Sequence, residues 1–342
     1  MSSSRYPKHY FIELEEPFLS KQAYINCGYV THINQFFAQK KVLVKQAVPD
    51  KNIYNAERNV QNDPDFPAEK IDYDLILRPF FDVLTEDMVE NNGQKNDTLL
   101  YIHGMFCDFP PIHALNLQHF EAEYLSKKDF PHARTLSIIY HVNHPYYPKN
   151  HRRTAEIANV LAPIFQAFCA FFYKKNGELE SKIQVLCHSM GNQLLAHLLK
   201  APPQYQRQNF ALFSHFSDKK LFGSVIMAAP DVDSDIFDAG KQFENLPDLA
   251  ENIQIYFSRT DAPLIASSIF HGKKRLGRHG VPDITTLKSN VYIIDATAVR
   301  DNRGWHARAN GHIYYHASPT VVRDIQAQFL NKSKVDRLRV LD

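Results

Sequence analysis

The stretch IQVLCHSMGNQLLAHLLK, residues 183–200, decides how the chain is read. Its first five residues form a nearly unbroken apolar run, the pattern of a strand covered on both faces. Its end, NQLLAHLLK, is an apolar helix pattern. Between the two stand His188, Ser189, Met190 and Gly191. Strand, sharp turn and helix in that order make a nucleophile elbow, in which a strained turn lifts a serine hydroxyl clear of the sheet. Strand and helix crowd each other at such a turn, so small residues are needed two positions before and after the serine. Gly191 fills the later place, and Cys187 stands where the usual pattern has glycine. The plainer alternative is a serine that caps a helix. The strand before it and the apolar helix after it favour the elbow.

Working outward, the same strand pattern recurs at TLLYI (98–102), TLSIIY (135–140), GSVIMAA (223–229), IQIYFS (253–258) and VYIID (291–295). Helix-length segments lie between them, with candidates at Thr154–Tyr173, Met190–Lys200 and Pro319–Asn331. Ser318 is placed to cap the last of these, with Pro319 at its first position. Strand–helix alternation predicts an α/β fold, a mostly parallel central sheet with helices on both faces. Ligands on such sheets bind beyond the carboxyl ends of the strands. The catalytic core is expected over residues 96–342. Residues 1–95 are less regular, with strand candidates at Tyr10–Leu14, Val42–Val44 and Asp74–Leu77 and a loop over Asn52–Asp72. They are expected to supply leading strands and loops of the same domain.

A serine hydroxyl is a weak nucleophile at neutral pH and needs a neighbouring base. In the strand–elbow–helix arrangement the partners follow in the order serine, acid, histidine. Here IQIYFS runs into Arg259-Thr260-Asp261, a carboxylate just past a strand, and Asn310-Gly311-His312 precedes the last helix. Ser189, Asp261 and His312 are therefore the candidate catalytic residues. Asp231 and Asp233, in AAPDVDSD after another strand, compete with Asp261 for the acid. His306 and His316 compete with His312. An oxyanion hole needs two backbone N–H groups, assigned to Met190, after the serine, and to Met105, in the loop after TLLYI. His103, Gly104, His188 and Asp231 are expected to line the site.

Composition narrows the remaining readings. The 342 residues carry 39 Lys and Arg against 37 Asp and Glu, a net charge of +2. No basic block suggests nucleic acid. The start, MSSSRYPKHY, has no apolar signal region, and the apolar stretch Ile157–Tyr173 is short for a membrane span and reads as a core helix. Four scattered cysteines, Cys27, Cys107, Cys169 and Cys187, fit reduced thiols, so a cytoplasmic protein is expected. Seventeen histidines show no H-E-x-x-H. Asp231, Asp233 and Asp235 begin like a calcium loop, but Ile236 and Gln242 stand where that loop needs Gly and Glu. No metal and no cofactor is expected. Pro202–Phe222, aromatic and basic by turns, reads equally as a lid or as ordinary packing. Ile269–Thr286, with His271, Arg275, Arg278 and His279, is a candidate for contacting an anionic acyl group or phosphate. Nothing in the sequence fixes an oligomeric state.

Taken together, YIHG (101–104), LCHSMGNQLL (186–195), MAAPDVDSDIF (227–237), SRTDAPL (258–264), GHIYY (311–315) and the SP at 318–319 resemble a family of mostly bacterial α/β-hydrolases of unassigned function within the esterase/lipase superfamily. The resemblance spans about residues 97–331. It implies the α/β-hydrolase fold and a serine-type hydrolase triad, and little about substrate; the small-molecule acyl substrate is expected from the triad residues themselves. The reaction expected is ester cleavage through an acyl-enzyme. Thioesterase, amidase or acyltransferase chemistry on the same triad is the nearest alternative, and a hydrolase-fold protein that binds without catalysis is the more distant one.

Overall fold

The computed structural model describes residues 9–16, 22–30, 40–48, 72–90, 96–107, 110–125, 131–200, 220–304, 311–330 and 336–342. Most of the lid candidate, through residue 219, and His306 lie outside them, as does the loop at 52–71. Among the described residues, ten strands form one sheet: β1 His9–Glu15, β2 Tyr24–Val30, β3 Lys40–Ala47, β4 Asp97–Ile102, β5 His132–Ile139, β6 Ile183–His188, β7 Phe222–Ala228, β8 Ala250–Phe257, β9 Val291–Asp295 and β10 Leu338–Val340. Their spatial order is β10-β9-β8-β7-β6-β4-β5-β1-β2-β3. Every pairing from β10 across to β1 is parallel, and only β2 runs against the rest.

The alternation of side chains explains why the central strands read as continuous apolar runs. Along β4, Leu100 and Ile102 enter one core, while Leu99 and Tyr101 enter another on the opposite face. Along β7, Val225 and Met227 divide from Ile226 and Ala228 in the same way. The first core is closed by three helices: α1 Tyr73–Glu90, α3 Tyr147–Leu179 and α4 Gly191–Leu199. The second is closed by α2 Pro110–Phe120 and α6 Pro319–Phe329, while α5 Pro263–His271 lies after β8. Helices thus cover both faces. Ser318 caps α6 by accepting from the Val321 N–H, with Pro319 at its first position. The helix α3 is the one described helix long and apolar enough to cross a membrane, and most of its apolar window is buried inside the protein.

One expected strand is a helix. Asp74–Leu77 forms the first turn of α1, whose buried residues Leu77, Phe80, Phe81, Leu84 and Met88 follow helical spacing. A four-residue apolar run carries no period of its own, and Pro79 inside the helix conceals the longer pattern. The Leu75 N–H donates to Asp72 Oδ1 and starts the turn.

The first strands and α1 are fastened to the sheet by a buried arginine. Arg134, on β5, is fully buried, and its Nε donates to Asp87 Oδ2 of α1 at 2.5 Å. Its other nitrogens donate to the Asn96 carbonyl at 2.6 Å, Asn96 Oδ1 at 3.1 Å and Thr98 Oγ1 at 3.3 Å. The Tyr10 hydroxyl of β1 donates to the same Asp87 oxygen at 3.1 Å. Breaking one partner of such a pair leaves a buried charge uncompensated. Arg134→Met is accordingly expected to cost about 3–5 kcal/mol in urea unfolding; a loss below about 1 kcal/mol would show that Asp87 finds another partner.

Candidate active site

Ser189 stands where β6 meets α4, at φ 52, the left-handed region that a residue with a Cβ enters only under strain. The turn is held on both sides. The Ser189 N–H donates to the Ala228 carbonyl at 2.9 Å, and the Ser189 carbonyl accepts from the Asp231 N–H at 3.1 Å. The loop after β4 presses directly on this turn. A Cβ on Gly191 would sit 2.3 Å from the Ile102 oxygen, and one on Gly104 would sit 2.9 Å from Ser189 Cβ and 3.0 Å from His188 Nδ1. The crowding read from the sequence is therefore a contact between two backbones. Gly104→Ala is expected to destabilise by about 1–3 kcal/mol through overpacking, read as a lower denaturation midpoint, because both neighbours of the new methyl belong to the rigid elbow.

His103 packs inside the protein. It is fully buried and stacked on Tyr140 with ring centroids 4.3 Å apart. Its Nδ1–H donates to the Gly104 carbonyl at 2.7 Å, its Nε2 accepts the Tyr140 N–H at 3.3 Å, and its carbonyl accepts from the Tyr140 hydroxyl at 2.5 Å. It pins the ends of β4 and β5 together, and so fixes the loop that carries Met105. Asn150 Nδ2 donates to the Met105 sulfur at 2.9 Å and anchors that residue from α3. Met190 occupies the N-cap position of α4. A helix has no carbonyl one turn back to receive the N–H groups of its first residues.

His312 is brought to the elbow from the other end of the chain. His188 Nε2–H donates to the His312 carbonyl at 3.3 Å, and the two rings lie 4.8 Å apart. His188 is itself stacked against Tyr315, 4.5 Å away. His312 Nδ1–H donates to Asp261 Oδ2 at 2.7 Å. Gly311, at φ 61, lets the backbone pass close to Thr260, where a Cβ would meet the Thr260 oxygens at 3.1 Å. Asp261 is fully buried just beyond β8, where its Oδ1 accepts the Leu264 N–H at the start of α5.

The electrostatics separate the neighbouring groups. Burial disfavours a charged His312, but the Asp261 carboxylate and its hydrogen bond outweigh it and hold the imidazole pKa above the ordinary 6.5. Burial raises the Asp261 carboxyl, against the pull of His312. His188 is driven well below its ordinary value, first by burial and then by His312, and stays neutral. Burial also lowers His316, to about 4, with His119 adding to it; its ring packs on His119 and Tyr315 rather than on Asp261.

Asp231 and Asp233 have other partners. Asp231 accepts from the Tyr147 hydroxyl at 2.5 Å, Ser267 Oγ at 2.6 Å and Arg275 Nε at 2.8 Å. Burial alone would raise its carboxyl; the Arg275 charge and these donors hold it below the usual range. Asp233 binds Arg275 Nη1 at 2.6 Å and Lys273 at 2.7 Å. Arg275 is thereby buried within the fold, and Arg278 donates to the Asp261 carbonyl at 3.0 Å. Arg275 is therefore not left to meet an anionic acyl group, while Arg278 is half-buried. Tyr147, Tyr315 and the Arg275 network carry no signal in the sequence, since each joins segments far apart in the chain.

A mostly parallel sheet with β5 and β4 exchanged in spatial order, a strained elbow serine and a histidine delivered from the connection between β9 and β10 decide the fold. This is an α/β-hydrolase fold. Residues 167–331 match a family described as alpha/beta hydrolase of unknown function (DUF900), in agreement with the motif resemblance. No curated protein and no solved structure matches the chain.

Proposed function

We propose that this α/β-hydrolase cleaves carboxylic esters through an acyl-enzyme on Ser189. The observation that carries the reading is the 2.7 Å bond from His312 Nδ1 to buried Asp261, with His312 in contact with His188, the residue before a serine held at φ 52. With Nδ1–H donated to the carboxylate, the Nε2 lone pair of His312 is left to act as base. Ser189 Oγ attacks the acyl carbon while His312 Nε2 takes its proton. The negative charge on the carbonyl oxygen falls to the N–H groups of Met190 and Met105. The imidazolium, stabilised by Asp261, then protonates the departing alkoxide. Water, deprotonated by the same imidazole, releases the acid and restores the serine. All of these roles are filled by residues of the chain, without a cofactor.

The test is hydrolysis of p-nitrophenyl esters across acyl lengths, together with fluorophosphonate labelling. Turnover and labelling that both disappear in Ser189→Ala would support the reading. A protein that hydrolyses none of these esters and resists the label would overturn it.

A further inference from the structure

The carboxyl edge of the sheet carries a surface that this reaction leaves unused. Exposed Phe106, Ile112, Leu115, Tyr146, Ile265, Ile269 and Phe270 all stand on segments that follow β4, β5 or β8, on the side where Ser189 lies. The densest part is α5, PLIASSIFH, which has no Asp, Glu, Lys or Arg. Ile265 and Ile269 are one turn apart on it, and Ile269 is 77% exposed, with Phe270 at 48%. The start of α3 continues this surface. The Tyr147 ring lies 5.8 Å from Phe270, and His151 lies 4.2 Å from His271. The neighbouring Tyr146 is 58% exposed. Large exposed apolar groups gathered in one place mark an interaction surface rather than chance exposure.

The two segments that carry these groups hold charge of one sign. No Asp or Glu occurs from His141 to Ala155 or from Ala262 to Pro282. Arg275 and Lys273 are matched by Asp231 and Asp233, and Arg153 by Glu16 and Glu156. Lys149, Arg152 and Lys274 remain exposed, with no carboxylate partner among the described residues. An uncharged, apolar helix face with unmatched cations on the two segments that meet there is complementary to a surface that is oily inside and negative outside.

We propose that this face docks the protein on an anionic lipid surface. Ile265, Ile269, Phe270 and Tyr146 enter the boundary between headgroups and acyl chains, while Lys149, Arg152 and Lys274 meet the headgroup phosphates. Asp261 lies two residues before α5, so docking holds the candidate site against the membrane. If the ester-hydrolase reading also holds, the substrates are esters drawn from that lipid phase; the docking itself does not depend on that reading.

The experiment is sedimentation of the full chain with vesicles, using the Ser189→Ala form so that no lipid is consumed. Vesicles of phosphatidylcholine alone are compared with an equal mixture of phosphatidylcholine and phosphatidylglycerol. Binding is expected to be at least about tenfold tighter to the mixture, and to weaken as salt is raised. Ile269→Glu with Phe270→Glu is expected to weaken it by about tenfold or more at an unchanged melting temperature. If that pair unfolds the protein, Ile269→Ser with Phe270→Ser takes its place. Three results would overturn the proposal: no binding to either vesicle, equal binding by the folded double variant, or lipid-free self-association that the double variant abolishes, which would assign the face to a second copy of the chain. Because binding is read on a form without the serine, loss of docking and loss of ester chemistry stay distinguishable.

Discussion

Ser189→Ala is expected to lower kcat for p-nitrophenyl ester hydrolysis by about ten-thousand-fold or more, to the level of catalysis left when binding and oxyanion donors act alone. KM should change little, since the hydroxyl forms its bond to substrate only on the way to the transition state. The same substitution leaves alanine at φ 52, so it relieves none of the backbone strain at the elbow. Unfolding free energy should therefore stay within about 0.5 kcal/mol of the parent, barring the lost hydroxyl contacts. A variant that kept a tenth of the activity would place the nucleophile elsewhere.

Asp261→Asn is the second large effect, and it has two readouts. An asparagine at 2.7 Å from His312 Nδ1 can present its amide N–H to the ring, which favours the tautomer with the proton on Nε2 and removes the base. The expected loss in kcat is about ten-thousand-fold. The pH profile supplies the independent check. In the proposed mechanism His312 must be neutral to accept the serine proton. With Asp261 charged, its pKa lies above 6.5, so activity should fall as pH drops through a point above that value. In Asp261→Asn the carboxylate attraction is gone and burial dominates, so the acidic limb of the residual activity should move to lower pH. A limb that stays in place would show that a different group titrates.

The interior of the protein is legible residue by residue. β4 to β9 lie under helices on both faces, so their residues are apolar whichever way they point, and six short runs announce six strands. The margins are less legible. β2, YINCGYV, mixes Asn26 and Gly28 into its run, and β10 is only Leu338–Val340. The helix α5 has no charged face to supply a period, and α1 is disguised by Pro79. In the candidate site, the order serine, acid, histidine is a property of the chain and is visible in it. The choice between Asp231 and Asp261 is not. Both follow a strand of the same parallel sheet. Their difference is that Arg275, 44 residues from Asp231, neutralises one, while His312, 51 residues from Asp261, bonds to the other.

The outer strands, poorly announced as they are, bear on how the protein behaves in concentrated solution. Among the described residues the sheet ends at β3 on one side and β10 on the other, and the margin of a sheet is a row of backbone donors and acceptors able to template a foreign strand. At one margin β3 carries Lys40, Lys41 and Lys45, and Lys40 and Lys45 are tied back to Glu13 and Glu15 of β1. At the other, β10 ends after three residues, and Arg339 is turned toward Asp324 of α6. An incoming chain would have to strip water from lysines on one side and would find almost no strand to extend on the other. Both edges thus carry features that discourage fibrillar growth.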